Sequence, residues 1–367
     1  MMGSSGRSIL RIVIAPDSFK GSLAAEDVAD AIAAGWLSER PGDVLTLLPQ
    51  ADGGEGTLDA IEASVPGAVR RSAGAVTGPD GRPTPGEWLE LPDGTAVVEL
   101  AGASGLPLMT VRDAPAASTR GTGEVIRSAL EAGAHSLVLA LGGSATTDGG
   151  SGALSALGLG LTDDRDRPIA EGGAGLATLA RVDRGLLVPA PPGGVTLLTD
   201  VTNPLLGPTG AAHVFGPQKG ASPTQCAELD AALARWAELL GGDPDAAGAG
   251  AAGGTAYGFA AVWGARIVPG APRIAELTGL TAAAASADLI ITGEGRFDDQ
   301  SLGGKVVGHA LGLGRPVAVI AGSLAAAPPG WSASLTDLAG TVEAAMADPR
   351  RWLREAGTLA AREFSRS

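Results

Sequence analysis

Short apolar runs that each stop at a polar, glycine-broken loop recur along this chain. Residues 9–15 (ILRIVIA) form a β-branched run bounded by Pro16 and predict a buried strand. Residues 44–48 repeat the pattern. Between them Ser22 is placed to cap a helix over 23–37, with Glu26 and Asp27 at its positive end. A second helix start is read at 54–63, with Glu55 near its beginning. A β-α-β-α opening of this kind predicts a doubly wound sheet.

The pattern then changes. Residues 69–100 hold short alternating runs separated by turn signals at Pro79, Asp80 and Gly81 and again at Pro92, Asp93 and Gly94, which predicts hairpins. A domain boundary is therefore set near Gly67. A helix is expected over 122–132, a strand over 136–141, a helix from about Asp148 and an exposed turn at 163–167. Residues 241–254 are rich in Ala and Gly and read as a flexible loop or a glycine-rich helix entry, with mobility expected there. The opening pattern returns with strands at 287–292 and 316–321 and helices at 304–313 and 350–364. The expected organisation is a discontinuous α/β domain from residues 1–67 and 285–367, with a second α/β domain, residues 68–284, inserted. No internal repeat is evident.

Composition sharpens this. The chain has 367 residues, 45% of them hydrophobic but only 3% aromatic, with 57 glycines, so its core is built from small aliphatic side chains and tight turns. A net charge of −14 disfavours nucleic acid or an anionic membrane surface as partner. A local cation cluster still leaves room for a small anionic substrate. Cys226 stands alone, so neither an intrachain disulfide nor a cysteine metal cluster forms. Residues 1–8 read as a disordered leader rather than a signal, which makes the cytoplasm the expected location. Lysine occurs only at Lys20, Lys219 and Lys305, each beside glycine, in a chain that otherwise uses arginine. A compact ammonium suits phosphate recognition there.

Four loops share one chemistry: 17–22, 50–56, 198–220 and 292–301. The third follows an apolar run that ends at Thr199 and Asp200, as expected at the carboxyl edge of a parallel sheet. The expectation is that folding brings all four together. A further glycine-rich loop, 142–152, follows a strand and precedes a helix. Its backbone and the hydroxyls of Ser144, Thr146 and Thr147 suit either an anion or close packing. Walker A, dinucleotide, zinc-protease and nucleophile-elbow patterns are absent. Acids at Asp52, Glu55, Glu294, Asp298 and Asp299 flank glycines or a strand end. Acids, lysines and glycines in this combination are what phosphoryl transfer requires: a base for the acceptor, cations for phosphates, and oxygen ligands for Mg²⁺.

Long ordered segments carry a resemblance: IAPDSFKGSL (14–23), PQADGGEGT (49–57), ELAGASGLPL (99–108), STRGTGE (118–124), LGGSATTDGGSGAL (141–154), TDVTNPLLGPTGAAHVFGPQKGA (199–221), GAAGGTAYGF (250–259) and ADLIITGEGRFDDQSLGGK (287–305). In these the chain resembles the type I glycerate kinases of bacteria. It departs from them in Thr147, where Asn is expected, and after about Ser323. The resemblance implies a flavodoxin-like parallel-sheet domain with an inserted α/β domain. It also implies phosphorylation of D-glycerate by ATP with Mg²⁺, the 2-hydroxyl favoured. Candidate roles follow: Asp200 as general base, Lys20 and Lys219 for carboxylate and phosphoryl charge, and Ser18, Asp52, Asn203, Glu294, Arg296 and Asp298 for substrate. Glu294 and Asp298 are also the candidates for Mg²⁺. Gly142, Gly143, Ser144 and Thr146 are the candidates for nucleotide phosphates. A homo-oligomer is compatible with all of this. Two rivals stay open: a non-catalytic sugar-acid sensor, for which no output segment is visible, and a nicotinamide-dependent hydroxyacid dehydrogenase, which would need a dinucleotide fingerprint.

Overall fold

The structure, a computed structural model, describes residues 8–365. The residues of the expected leader before Ser8 lie outside it. In chain order the strands are β1 Arg11–Ile14, β2 Val44–Leu47, β3 Val69–Thr77, β4 Pro83–Glu90, β5 Thr95–Glu99, β6 Ser136–Ala140 and β7 Gly160–Thr162. They continue with β8 Arg181–Asp183, β9 Val195–Leu198, β10 Arg266–Val268, β11 Leu289–Phe297, β12 Val317–Leu324 and β13 Trp331–Ser334. The chain divides into two compact units. One comprises Met1–Asp52, Asp59–Pro66 and Gly270–Ser367, so far as these are described; the other comprises Gly53–Leu58 and Gly67–Pro269.

The first unit is built on a five-stranded sheet in the order β13-β12-β11-β1-β2, parallel throughout. Counted within the unit this is the flavodoxin-like order 2-1-3-4-5, whose direction of winding reverses between β1 and β11. The β-branched run Ile12, Val13, Ile14 is buried on both faces, as a central parallel strand must be. One face packs on the helices Ala25–Glu39 and Pro349–Glu363. Glycine lets these helices approach: a Cβ at Gly35 would stand 2.0 Å from the Arg354 carbonyl oxygen. On the other face Ala275, Leu280, Ala284 and Ala310 meet Val13 and Ile290. The helices Gly270–Leu277 and Leu280–Ala284 thus belong with this sheet, and the last crossing between units falls at 269/270 rather than at 284/285.

Two local expectations change. The first helix begins at Ala25, and Ser22 does not cap it. The Ser22 N–H instead donates to the Phe19 carbonyl, closing a turn in which Phe19 and Leu23 pair. The strand expected to stop at Thr292 runs on to Phe297, with Glu294 opposite Ala321 and Arg296 opposite Ser323. Gly293 permits this, since a Cβ there would stand 1.8 Å from the Ile320 carbonyl oxygen.

The second unit contains a six-stranded sheet in the order β10-β9-β6-β5-β4-β3. Its β3-β4-β5 portion is antiparallel, as the turn signals predict, and the remainder is parallel. β7 and β8 form a separate ribbon. The helix Pro223–Leu240 opens on a capping box between Ser222 and Gln225. Of the Ala/Gly segment 241–254, residues 248–254 are largely buried and lead into the helix Ala251–Trp263. A Cβ at Gly253 would stand 2.0 Å from the Thr146 carbonyl oxygen. Close packing, not mobility, accounts for the glycines there. Among the described residues no helix is long and apolar enough to cross a membrane.

Candidate functional site

The loops after β1 and β11 leave the sheet where its winding reverses, the place where open α/β sheets bind ligands. A cavity of about 440 Å³ lies there, within the first unit. Asp17, Ser18 and Lys20 line it from the β1 loop, and Asp52 from the segment beyond β2. Glu294, Arg296, Asp298 and Lys305 line it from β11 and the loop that follows. Six residues proposed from sequence, Ser18, Lys20, Asp52, Glu294, Arg296 and Asp298, therefore meet at one cavity.

Asp17 is not among the sequence candidates, although it stands three residues past the end of β1, much as Asp200 stands two past the end of β9. It is 6% exposed. One carboxylate oxygen accepts the Ser18 N–H at 2.6 Å. Burial, reinforced by the charge of Asp52, pushes its carboxyl up to about 7, against the opposing pull of Lys20. Lys20 reaches the Asp52 carboxylate at 3.8 Å. Its side chain is 65% exposed, so this pair adds little to stability. Its value is positional: it places a cation at the rim of an acidic cavity.

Glu294 is buried, and its Oε1 has no hydrogen-bond partner. Burial holds the carboxyl above its ordinary range, while a hydrogen bond from Ser301 and the charge of Lys305 work the other way. An unpaired buried oxygen is costly and calls for a donor or a cation. Asp298 has a structural duty as well: its Oδ1 accepts the Gln300 N–H at 3.0 Å and its own N–H is met by Ser301 Oγ. Arg296 Nε stands 3.9 Å from Asp298 Oδ2.

The second unit holds a smaller cavity of about 210 Å³, lined among others by Gly142, Gly143, Ser144, Thr199 and Lys219. Lys219 is 3% exposed. It is presented by a short 3-10 turn, Pro217–Lys219, which the Arg112 guanidinium steadies through the Gln218 carbonyl at 3.0 Å. Its ammonium donates to the Thr146 carbonyl at 2.5 Å and to Ser144 Oγ at 3.4 Å. Burial pushes it down to about 7, with the Asp148 carboxylate opposing. The loop's own polar groups are turned inward: Ser144 Oγ also engages the amide and hydroxyl of Thr146. Thr146 is buried, and Asp200 and Asn203 also lie outside the lining of this cavity. Asp200 is half-buried just beyond β9. The Asn203 amide donates to the Thr209 carbonyl at 2.8 Å. Asp148 is fully buried and accepts the Gly150, Gly152 and Thr119 amides, so it shapes the glycine loop.

The sequence pattern of the Glycerate kinase family matches residues 12–365. The chain belongs to the glycerate kinase family. It is 43% identical over 328 residues to glycerate 2-kinase of Escherichia coli strain K12, covering 86% of each chain. It is 42% identical over 328 residues to glycerate kinase of Bacillus subtilis strain 168, covering 86% of this chain and 85% of that one. A crystal structure assigned as glycerate kinase 2 from Salmonella typhimurium LT2 matches with a TM-score of 0.85 at 39% identity, covering 98% of this chain and 99% of that one. Membership places the chain among kinases.

Proposed function

We propose that this glycerate kinase family member transfers the terminal phosphoryl group of ATP to a hydroxyl of D-glycerate, giving phosphoglycerate and ADP. The first unit's cavity carries the proposal. Lys20, Arg296 and Lys305 line it together with Asp17, Asp52, Glu294 and Asp298. Phosphoryl transfer is catalysed chiefly by positioning and by charge neutralisation, and this is a set of groups suited to both. The name of the Escherichia coli relative, glycerate 2-kinase, favours the 2-hydroxyl. Within the family the chain is read as one of the bacterial type I enzymes.

Mg²⁺ fits this cavity. The buried, unpaired Oε1 of Glu294 and the Asp298 carboxylate supply hard oxygen donors. Among the described residues no group of three or more His, Cys, Asp or Glu side chains is gathered to hold a metal alone. That is the usual condition of Mg²⁺, which keeps water and substrate phosphates among its ligands. Bound there, the ion would neutralise charge on the phosphates.

In the proposed mechanism Ser18 and Asp52 take the hydroxyls of glycerate, and Arg296 and Lys20 take anionic charge. Within the second unit the sequence candidates are Asp200, a carboxylate suited to a general base, and Asn203, an amide suited to a substrate contact. Gly142, Gly143, Ser144 and Thr146, the sequence candidates for nucleotide phosphates, cluster separately with Lys219 in the second unit. The test is the phosphorus spectrum of the product from D-glycerate, Mg²⁺ and ATP. A phosphomonoester at the 2-position with stoichiometric ADP is expected. No new phosphomonoester would refute the kinase reading, and a 3-phosphoester would refute the regiochemistry.

A further inference from the structure

The cavity of the first unit has two unlike walls. One carries the acids and cations already described. The other is apolar and comes from the chain after β13: Val342 and Met346 on the helix Val342–Ala347, and Pro349 at the start of the next helix. Val342 and Met346 are 49% and 59% exposed. Spaced i, i+4, they share one helix face. Large aliphatic side chains left open to a cavity mark a surface that awaits an apolar occupant.

Glycerate is a poor candidate for that occupant. It bears oxygen on each of its three carbons and has no apolar face to bury. The cavity, at about 440 Å³, falls within the range of roughly 300–1,000 Å³ that takes much larger ligands. A kinase has a second substrate, and the part of a nucleotide that suits an aliphatic and thioether surface is the flat ring of its base. Sulfur and aliphatic hydrogens pack well against aromatic faces. The same cavity holds cations for phosphates and the unpaired Glu294 Oε1 for an associated Mg²⁺. The smaller cavity beside Lys219, about 210 Å³, presents no such exposed helix face.

The apolar wall is also built to stay in place. The Ala344 N–H donates to Thr341 Oγ1 at 3.1 Å, which caps the helix. The Arg351 N–H donates to Asp348 Oδ1 at 3.2 Å, which caps the next. The Trp352 indole donates to the Ala344 carbonyl at 3.1 Å and ties the two helices together. Thr336 Oγ1 donates to the Gly322 carbonyl at 2.9 Å and anchors the segment to β12. A surface so held loses little freedom when a rigid ring lands on it.

We propose that the purine ring of the phosphoryl donor lies on the apolar wall formed by Val342, Met346 and Pro349 in the first unit. This deepens the kinase reading and rests on it only for the choice of a nucleotide. The test is calorimetric binding of ADP, and separately of tripolyphosphate, which has no base, to the wild type and to the double variant Val342→Thr/Met346→Gln. Both positions are exposed, so the fold should persist; circular dichroism checks this. Loss of two apolar contacts should weaken ADP binding by about fivefold or more and leave any tripolyphosphate binding within about twofold. In turnover assays KM for ATP should rise in step while KM for D-glycerate holds. Unchanged ADP binding, parallel weakening of tripolyphosphate, or a wild type that binds no ADP would each overturn the proposal. So would a shift in the glycerate KM alone. A wild type inactive on D-glycerate whose ADP binding still falls in the variant would refute the substrate and leave the purine site standing.

Discussion

The ammonium of Lys219 donates to the carbonyl of Thr146 at 2.5 Å, inside the second unit and almost wholly out of water. Burial brings its pKa from an ordinary 10.5 down to about 7. In the unfolded chain the proton is held to higher pH, so between about pH 7 and 10.5 the unfolded state binds more of it. Stability from this group therefore rises as pH rises through that window, and its cost is fully present below it. The Lys219→Met variant should lack this slope. Thermal melts at pH 7 and pH 9.5 would show wild type gaining relative to the variant; parallel melts would mean that Lys219 is not buried as a cation.

Asp17 has the opposite sign. Its carboxyl is raised from 3.8 to about 7, chiefly by burial and then by the charge of Asp52. As pH rises from about 4 to 7 the unfolded chain ionises first, so folding becomes less favourable over that window. Asp17→Asn removes the cost. The variant should gain on the wild type by up to about 4 kcal/mol between pH 4 and pH 8, read from urea midpoints. Its phosphorylation rate should fall at the same time, as expected where a strained site is retained for function. A variant no more stable at pH 8 than at pH 4, relative to wild type, would contradict this.

The sheet of the first unit was legible because its strands are short β-branched runs ended by Pro or polar residues, as at Ile12–Ile14 before Pro16. The extension of β11 was not, because Gly293 and Gly295 signal a loop until one knows that the Ile320 carbonyl lies against Gly293. Ser22 has the chemistry of a cap, but the Phe19–Leu23 pairing delays the helix. The helices Gly270–Leu277 and Leu280–Ala284 gave no sign of their sheet, since small apolar residues would pack in either unit. Cavity residues at strand ends were readable by type. What no sequence pattern indicated was degree of burial: Lys20 and Lys219 look alike beside their glycines, yet one is at a rim and the other enclosed.

Asp200 follows β9 directly, and its neighbours Thr199 and Val201 line the smaller cavity although Asp200 itself does not. If it is the base for the glycerate hydroxyl, Asp200→Asn should lower kcat by about 10²–10⁴ with little change in melting temperature. The measurement is coupled-assay turnover at saturating ATP and D-glycerate. Near wild-type turnover would remove Asp200 from the chemistry and direct attention to the acids around Glu294.

Gly253 gives the most direct test of how the second unit is packed. It has φ +64°, a conformation that L side chains rarely adopt, and a Cβ there would stand 2.0 Å from the Thr146 carbonyl oxygen. That oxygen already receives the Lys219 ammonium. Gly253→Ala must therefore strain the backbone and push the glycine loop off the lysine at once. Overpacking and left-handed strain each cost roughly 1–3 kcal/mol, so the melting temperature should drop by several degrees. Activity should fall further than the loss of folded protein explains, since the loop displaced is the one proposed to hold phosphate charge. Gly241→Ala, where φ is +79° and nothing lies within 4 Å, carries the strain without the collision and should leave the cavity beside Lys219 intact. Equal loss of specific activity in the two variants would show that the contact between Gly253 and Thr146 has no bearing on the reaction.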